Sequence, residues 1–211
     1  MKTDSAGNKQ WDKDLGAGIG SSLLQTSDGG YVIVGSTHYY GTGADVWLIK
    51  TDSAGNKQWD RTFGSWGSDS GSSALQTSDG GYVIVGSTHP WGAGNDDDVW
   101  LIKTDSAGNK EWDKTFGGAE VDEGCSVLQT SDGGYIILGN TYSYGAGNSD
   151  IWLIRTDSSG EKVWDMTFGG SEEDWGYSVG QTSDGGYFIA GLTMSYGAGD
   201  CDVWLLKLRL G

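Results

Sequence analysis

Apolar positions in this chain come in short consecutive runs, not at every second or every third to fourth residue. Tyr82 to Val85 reads YVIV between two glycines, and Val99 to Ile102 reads VWLI between Asp98 and Lys103. Such runs, rich in β-branched and aromatic side chains, predict strands. A strand that is apolar on both faces needs one sheet above it and another below. VWLIKTD and NKQWDRTF flank Ser-Ala-Gly-Asn, and SSALQT and GYVIVGST flank Ser-Asp-Gly-Gly. Both arrangements predict β-hairpins whose turns use the positive φ open to glycine.

The runs recur with a fixed spacing. Units open at Lys2, Lys50, Lys103 and Arg155, and a fifth would open at Lys207, with spacings of 48, 53, 52 and 52 residues. Each unit predicts strands equivalent to a (Ser72 to Thr77), b (Tyr82 to Thr88), c (Val99 to Thr104) and d (Lys110 to Phe116), with strands a opening from Ser21, Ser72 and Ser126. Four-stranded sheets stacked around an axis at this repeat length define a β-propeller. The expected fold is all-β, a four-bladed propeller in one domain spanning residues 1–211. Its last blade is expected to be completed by residues 2–15: strand d at Lys9 to Leu15 pairs with strand c at Val203 to Leu208 and closes the ring, which removes exposed edges.

The phrase TDSAGNKQW resembles the tryptophan docking motif of quinoprotein-type (PQQ-like) propeller repeats. The matching positions are Asp4, Gly7 and Trp11; Asp52, Gly55 and Trp59; Asp105, Gly108 and Trp112; and Asp157, Gly160 and Trp164. The resemblance implies that Trp11, Trp59, Trp112 and Trp164 dock each blade on its neighbour. It does not extend to the adjacent-cysteine and calcium-carboxylate signatures of the quinone enzymes, so PQQ itself is not expected. A second series, Trp47, Trp100, Trp152 and Trp204, lies within strand c and reads as core.

Charge narrows the partners. With 13 Lys and Arg against 29 Asp and Glu, the formal net charge is −16, which repels phosphate backbones and anionic headgroups. Nucleic acid is not expected, and the four-residue apolar runs are too short for membrane insertion. No basic and apolar leader opens the chain, and Met1 abuts a mid-repeat phrase. That suits a domain of extracellular or cell-surface origin. Cys125 and Cys201 make neither a disulfide framework nor a zinc site.

The units differ chiefly in their d-to-a and b-to-c loops, where function is therefore sought. Tyr40, Trp91, Tyr144 and Tyr196 place an aromatic in every b-to-c loop, and Trp66 and Trp175 fall in d-to-a loops. These six are the candidate ligand-binding residues. Asp69, Asp122 and Asp174 recur in three d-to-a loops and are candidate ligands for calcium or another hard cation; an ion in the axial channel is the other candidate. Asp45, Asp98, Asp150 and Asp202, each before strand c, suit loop capping. His38 and His89 share one unit position and read as loop residues.

The residues show no nucleophile with base and orienting group. The expectation is a non-enzymatic binding or structural module for carbohydrate or peptide. One alternative is a polysaccharide-acting hydrolase or lyase drawing on Glu120, Asp122, Glu123, Glu172, Glu173 and Asp174. Another is an ion-stabilised structural propeller. A monomer is expected, with a strand-exchanged dimer as the alternative.

Overall fold

The computed structural model describes residues 1–37, 43–64, 67–89 and 97–209. Every regular element among them is a strand. A short hairpin, β1 (Lys2–Thr3) and β2 (Lys9–Trp11), precedes three four-stranded antiparallel sheets. These are β3 (Gly18–Gln25) to β6 (Lys57–Phe63), with β4 (Tyr31–Thr37) and β5 (Val46–Thr51) between them; β7 (Ser70–Gln76), β8 (Tyr82–Thr88), β9 (Asp98–Thr104) and β10 (Lys110–Phe116); and β11 (Asp122–Gln129), β12 (Tyr135–Thr141), β13 (Asp150–Thr156) and β14 (Lys162–Phe168). A three-stranded sheet of β15 (Asp174–Gln181), β16 (Tyr187–Thr193) and β17 (Asp202–Leu208) follows.

Turn chemistry explains why each pair of strands folds back locally. In the c-to-d turn, Asp52 accepts from Ala54 N and Asn56 N, both at 2.9 Å, while Gly55 takes φ 77°. The a-to-b turn works in the same way: Asp79 accepts from Gly81 N at 2.9 Å and Gly80 takes φ 84°. Strand a begins earlier than expected, at Gly18, Ser70 and Asp122 instead of at Ser21, Ser72 and Ser126, because the ladder continues past a bulge. The register shifts between Gly71 and Ser73, Gly124 and Ser126, and Gly176 and Ser178. Each bulge reverses which face the following side chains take.

Apolar runs bury both faces because each interior sheet packs twice. The far face of the first full sheet (Val32, Val34, Val46, Leu48) meets the near face of the second (Tyr82, Ile84, Trp100, Ile102) in one core. Val83, Val85, Val99 and Leu101 meet Tyr135, Ile137, Trp152 and Ile154 in the next. Ile136, Leu138, Ile151 and Leu153 meet Tyr187 and Ile189 in the third. Trp11, Trp59 and Trp112 lie against Tyr31, Tyr82 and Tyr135 of the following sheet, with ring centroids 5.8, 5.9 and 6.1 Å apart. Trp164 packs against the third core.

The expected clasp is not formed. β2 pairs with β1, Lys2 opposite Trp11 and Thr3 opposite Lys9, and among the described residues the last sheet has three strands, β15 to β17. The Asp4 turn closes the N-terminal hairpin over a few residues, with Asp4 accepting from Ala6 N and Asn8 N at 2.9 Å. The hairpin orders only a short loop between residues close in sequence, so it forms at small entropic cost. The sheets form an open propeller-type array in this structure, and the two outermost faces carry exposed apolar side chains.

The basic residue that opens each unit has a structural task. Lys50 and Lys103 are buried at the end of strand c and reach Asp28 and Asp79 of the a-to-b turn at 2.8 and 2.9 Å. Arg155 pairs with Asp132, and Lys207 with Asp184. Hydrogen bonding from Thr77, then Lys103, outweighs partial burial and holds the Asp79 carboxyl down to about 2, from 3.8. Because the folded value lies below the unfolded one, this stabilisation is complete above pH 3.8 and is lost as pH falls through about 2. Urea unfolding at several pH values is expected to show that acid limb, and Asp79→Asn is expected to make it shallower.

Candidate functional site

The loops of the third and fourth units are knitted together by one repeated device. Asp122 opens β11 with its carboxylate buried, and Oδ2 accepts from Gly118 N at 2.9 Å and from Ser143 Oγ at 2.7 Å. Asp174 repeats this in β15, accepting from Gly170 N at 2.8 Å and Ser195 Oγ at 2.6 Å. The d-to-a loop is thereby tied to the b-to-c loop of the same unit. Tyr144 OH donates to Gly117 O at 2.7 Å, and Tyr196 OH donates to Gly169 O at 2.9 Å. Each ring leans on the strand-c tryptophan, Tyr144 at 5.2 Å from Trp152 and Tyr196 at 5.4 Å from Trp204, tilted 46° and 48°.

Two aromatic platforms result, rigid and about half-exposed. Exposed Glu120 and Glu172 stand on the same loops, and their backbone N–H groups donate to Ser143 Oγ and Ser195 Oγ. A tyrosine fixed at both ends presents a flat apolar surface with little entropy left to lose. Stacking against the pyranose or furanose face of a sugar, or against a peptide side chain, is the chemistry such a surface offers.

Behind the platforms lie pairs of buried carboxylates. Asp150 Oδ2 accepts from Ala146 N at 2.6 Å, and its Oδ1 finds no hydrogen-bond partner among the described residues. Burial raises the Asp150 carboxyl above its ordinary range; the bond from Ala146 opposes this and the nearby Asp174 adds to it. Asp45 is raised likewise, first by burial and then by Asp69. Asp202 accepts from Ala198 N at 3.1 Å, so Asp150 and Asp202 cap their loops as the sequence suggested.

The structure brings Tyr144 and Tyr196 to equivalent places on neighbouring units. Tyr40, Trp66 and Trp91 lie outside the described residues, as do His38 and Asp96. Trp175 is not a loop residue: β15 begins at Asp174, and Trp175 sits in its ladder opposite Leu192, partly buried. Asp69 is buried just before β7 and accepts from His89 N at 3.2 Å. No group of three or more His, Cys, Asp or Glu side chains converges as a metal site among the described residues. Cys125 and Cys201 are both free thiols. Burial, then Glu123, pushes the Cys125 thiol up to about 12, which leaves it inert as a nucleophile.

Ser143 and Ser195 escaped sequence reasoning. Each is one serine in a polar loop, and only its recurrence at the same unit position, beside an equally recurrent aspartate, marks it.

The repeated sheets, their order and their shared junctions define a propeller-type all-β protein. No protein-family model matches the chain. Among curated proteins, the regulatory protein FlaEY of Caulobacter vibrioides is 28% identical over 111 residues, which is 46% of this chain and 12% of FlaEY. Among solved structures, the endo-arabinase of Bacteroides thetaiotaomicron superposes with a TM-score of 0.57 at 13% identity, over 90% of this chain and 74% of that one. A Bacteroides caccae protein of unknown function gives 0.52 at 11% identity, covering 88% of this chain and 58% of the other. The β-1,2-mannobiose phosphorylase of Listeria innocua gives 0.50 at 14%, covering 89% and 56%. At these identities the likeness shows the fold, and the chain spans only part of each protein's length.

Proposed function

We propose that this chain is a binding module whose loop face takes carbohydrate, with Tyr144 and Tyr196 as stacking platforms and Glu120 and Glu172 as hydrogen-bond acceptors for sugar hydroxyls. The observation that carries this reading is the doubly anchored, half-exposed tyrosine repeated on two neighbouring units. The names of the endo-arabinase and the mannobiose phosphorylase support a carbohydrate over a peptide. Binding is favoured over catalysis because two of the carboxylates available to a hydrolase, Asp122 and Asp174, are buried and tied to their own loops, which leaves exposed Glu120 and Glu172 to act as acceptors. The resemblance of the Trp11, Trp59, Trp112 and Trp164 phrases to PQQ-like repeats concerns only how sheets dock.

Titration of intrinsic tryptophan fluorescence with arabino-oligosaccharides and β-1,2-manno-oligosaccharides tests the reading. A saturable change is expected, and Tyr144→Ala or Tyr196→Ala is expected to raise Kd about tenfold, the equivalent of about 1.4 kcal/mol. Silence from both sugar series, or undiminished affinity in the double variant, would sink the carbohydrate reading.

A further inference from the structure

The two end faces of the described array are exposed in complementary ways. At the C-terminal end, Phe188, Ala190, Val203 and Leu205 stand where earlier sheets place their far-face residues. Val203 is 93% exposed and Leu205 71%. Their counterparts Val46, Val99 and Ile151, and Leu48, Leu101 and Leu153, are buried to 1% exposure or less. At the N-terminal end, the near face of the sheet β3 to β6 is open. Leu23 is 63% exposed, whereas its counterparts Val127 and Val179 are at 5%. Beside it runs a groove of 530 Å³ walled by Trp11, Leu15, Leu23, Tyr31 and Ile33. At each of the three interior junctions, that space is filled by the far face of the preceding sheet.

We propose that copies of this chain associate head to tail, the far face of the last sheet of one copy seating in the N-terminal groove of the next. The contact is the fourth instance of a junction this chain already makes three times, with the same residue classes at the same positions. A second copy reaches both faces without bending either array and displaces only the two-residue strand β1. Closing the ring within one chain would instead bend three close-packed junctions, which interiors at crystal-like density resist.

The strand edges fit the same scheme. Lys2 and Thr3 pair with Trp11 and Lys9 in the register that Lys50 and Thr51 use with Trp59 and Lys57. Lys207 and Leu208 are their counterparts on β17 and, among the described residues, have no partner strand on that edge. When the last sheet of one copy arrives beside β2 of the next, Lys207 and Leu208 take over that two-residue pairing from β1. The contact joins unlike surfaces, so it builds a closed ring or an open filament according to the rotation per copy.

Light scattering behind size exclusion, with analytical ultracentrifugation over a range of concentrations, tests this. Wild type is expected at multiples of 22.3 kDa. Val203→Asp (tail blocked) and Leu23→Asp (head blocked) are each expected as monomers with unchanged circular dichroism, since both side chains are exposed. Mixed together, they are expected to form a one-to-one heterodimer that grows no further, because each retains the face the other has lost. Leu205→Asp serves as a second tail variant. A wild-type monomer at all concentrations, self-association of either single variant, or a mixture that stays monomeric would each overturn the proposal. Cysteines at positions 23 and 203, in a background without Cys125 and Cys201, that crosslink within one chain would show ring closure instead.

Discussion

Trp152→Ala is expected to lower the unfolding free energy by about 3–5 kcal/mol, the range for deleting a large aromatic from a core that cannot collapse around the gap. Trp152 is 1% exposed and sits in the middle of the second inter-sheet core. Its Nε1 donates to Asp165 Oδ2 at 3.0 Å, and Tyr144 leans on its ring. Removing it empties a junction and takes away the ring on which Tyr144 leans. For a chain of this length the midpoint of thermal unfolding should fall by on the order of 10 °C. Trp152→Phe keeps most of the packing and loses the hydrogen bond, so about 1 kcal/mol is expected. Urea unfolding monitored by far-ultraviolet circular dichroism measures both. A loss under about 1 kcal/mol for the alanine variant would mean that the sheets do not share the core described.

Gly86→Ala should destabilise by about 3 kcal/mol, although alanine usually raises stability where the backbone conformation suits it. A Cβ at Gly86 would lie 1.8 Å from Ser70 O and 2.9 Å from Gly71 Cα, both backbone atoms of the adjacent strand. The bulge after Gly71 draws β7 close to β8 at this point, and backbone cannot step aside as a side chain can. Gly35 meets the same obstacle, Ile19 O at 1.8 Å. The sign of the effect is the diagnostic, read from the same denaturant curves.

Much of this architecture is legible in the sequence because it is dictated locally and then repeated. The Asp-x-x-Gly and Ser-Asp-Gly-Gly turns fix the hairpins, and apolarity on both faces of Tyr82 to Val85 and Val99 to Ile102 demands stacked sheets. Of the recurring tryptophans, Trp59, Trp100, Trp112, Trp152, Trp164 and Trp204 lie at the inter-sheet cores, whereas Trp47 lines a groove on the open N-terminal face. What was not legible depends on competition between near and distant partners. Strand d at the N-terminus looked orphaned, yet Lys2 and Thr3 are enough to pair with it. Trp175 looked like a loop residue because the bulge at Tyr177 hides the continuation of β15 to Asp174. In sequence, the loops in which the units disagree point to the face now proposed for binding. The anchoring of its tyrosines was not legible, because it depends on carbonyl groups of Gly117 and Gly169 that carry no signature in sequence.

Each junction uses the same positions of each unit and touches only the sheets on either side. A copied unit therefore arrives with both of its contact faces already made to match. Duplication of one 50-odd-residue stretch of the gene lengthens the array without requiring a compensating change elsewhere, and loss of one shortens it as harmlessly. The KTDSAGNKQWD phrase, identical at Lys2 and at Lys50, is the part of the unit that such a duplication must carry over unchanged.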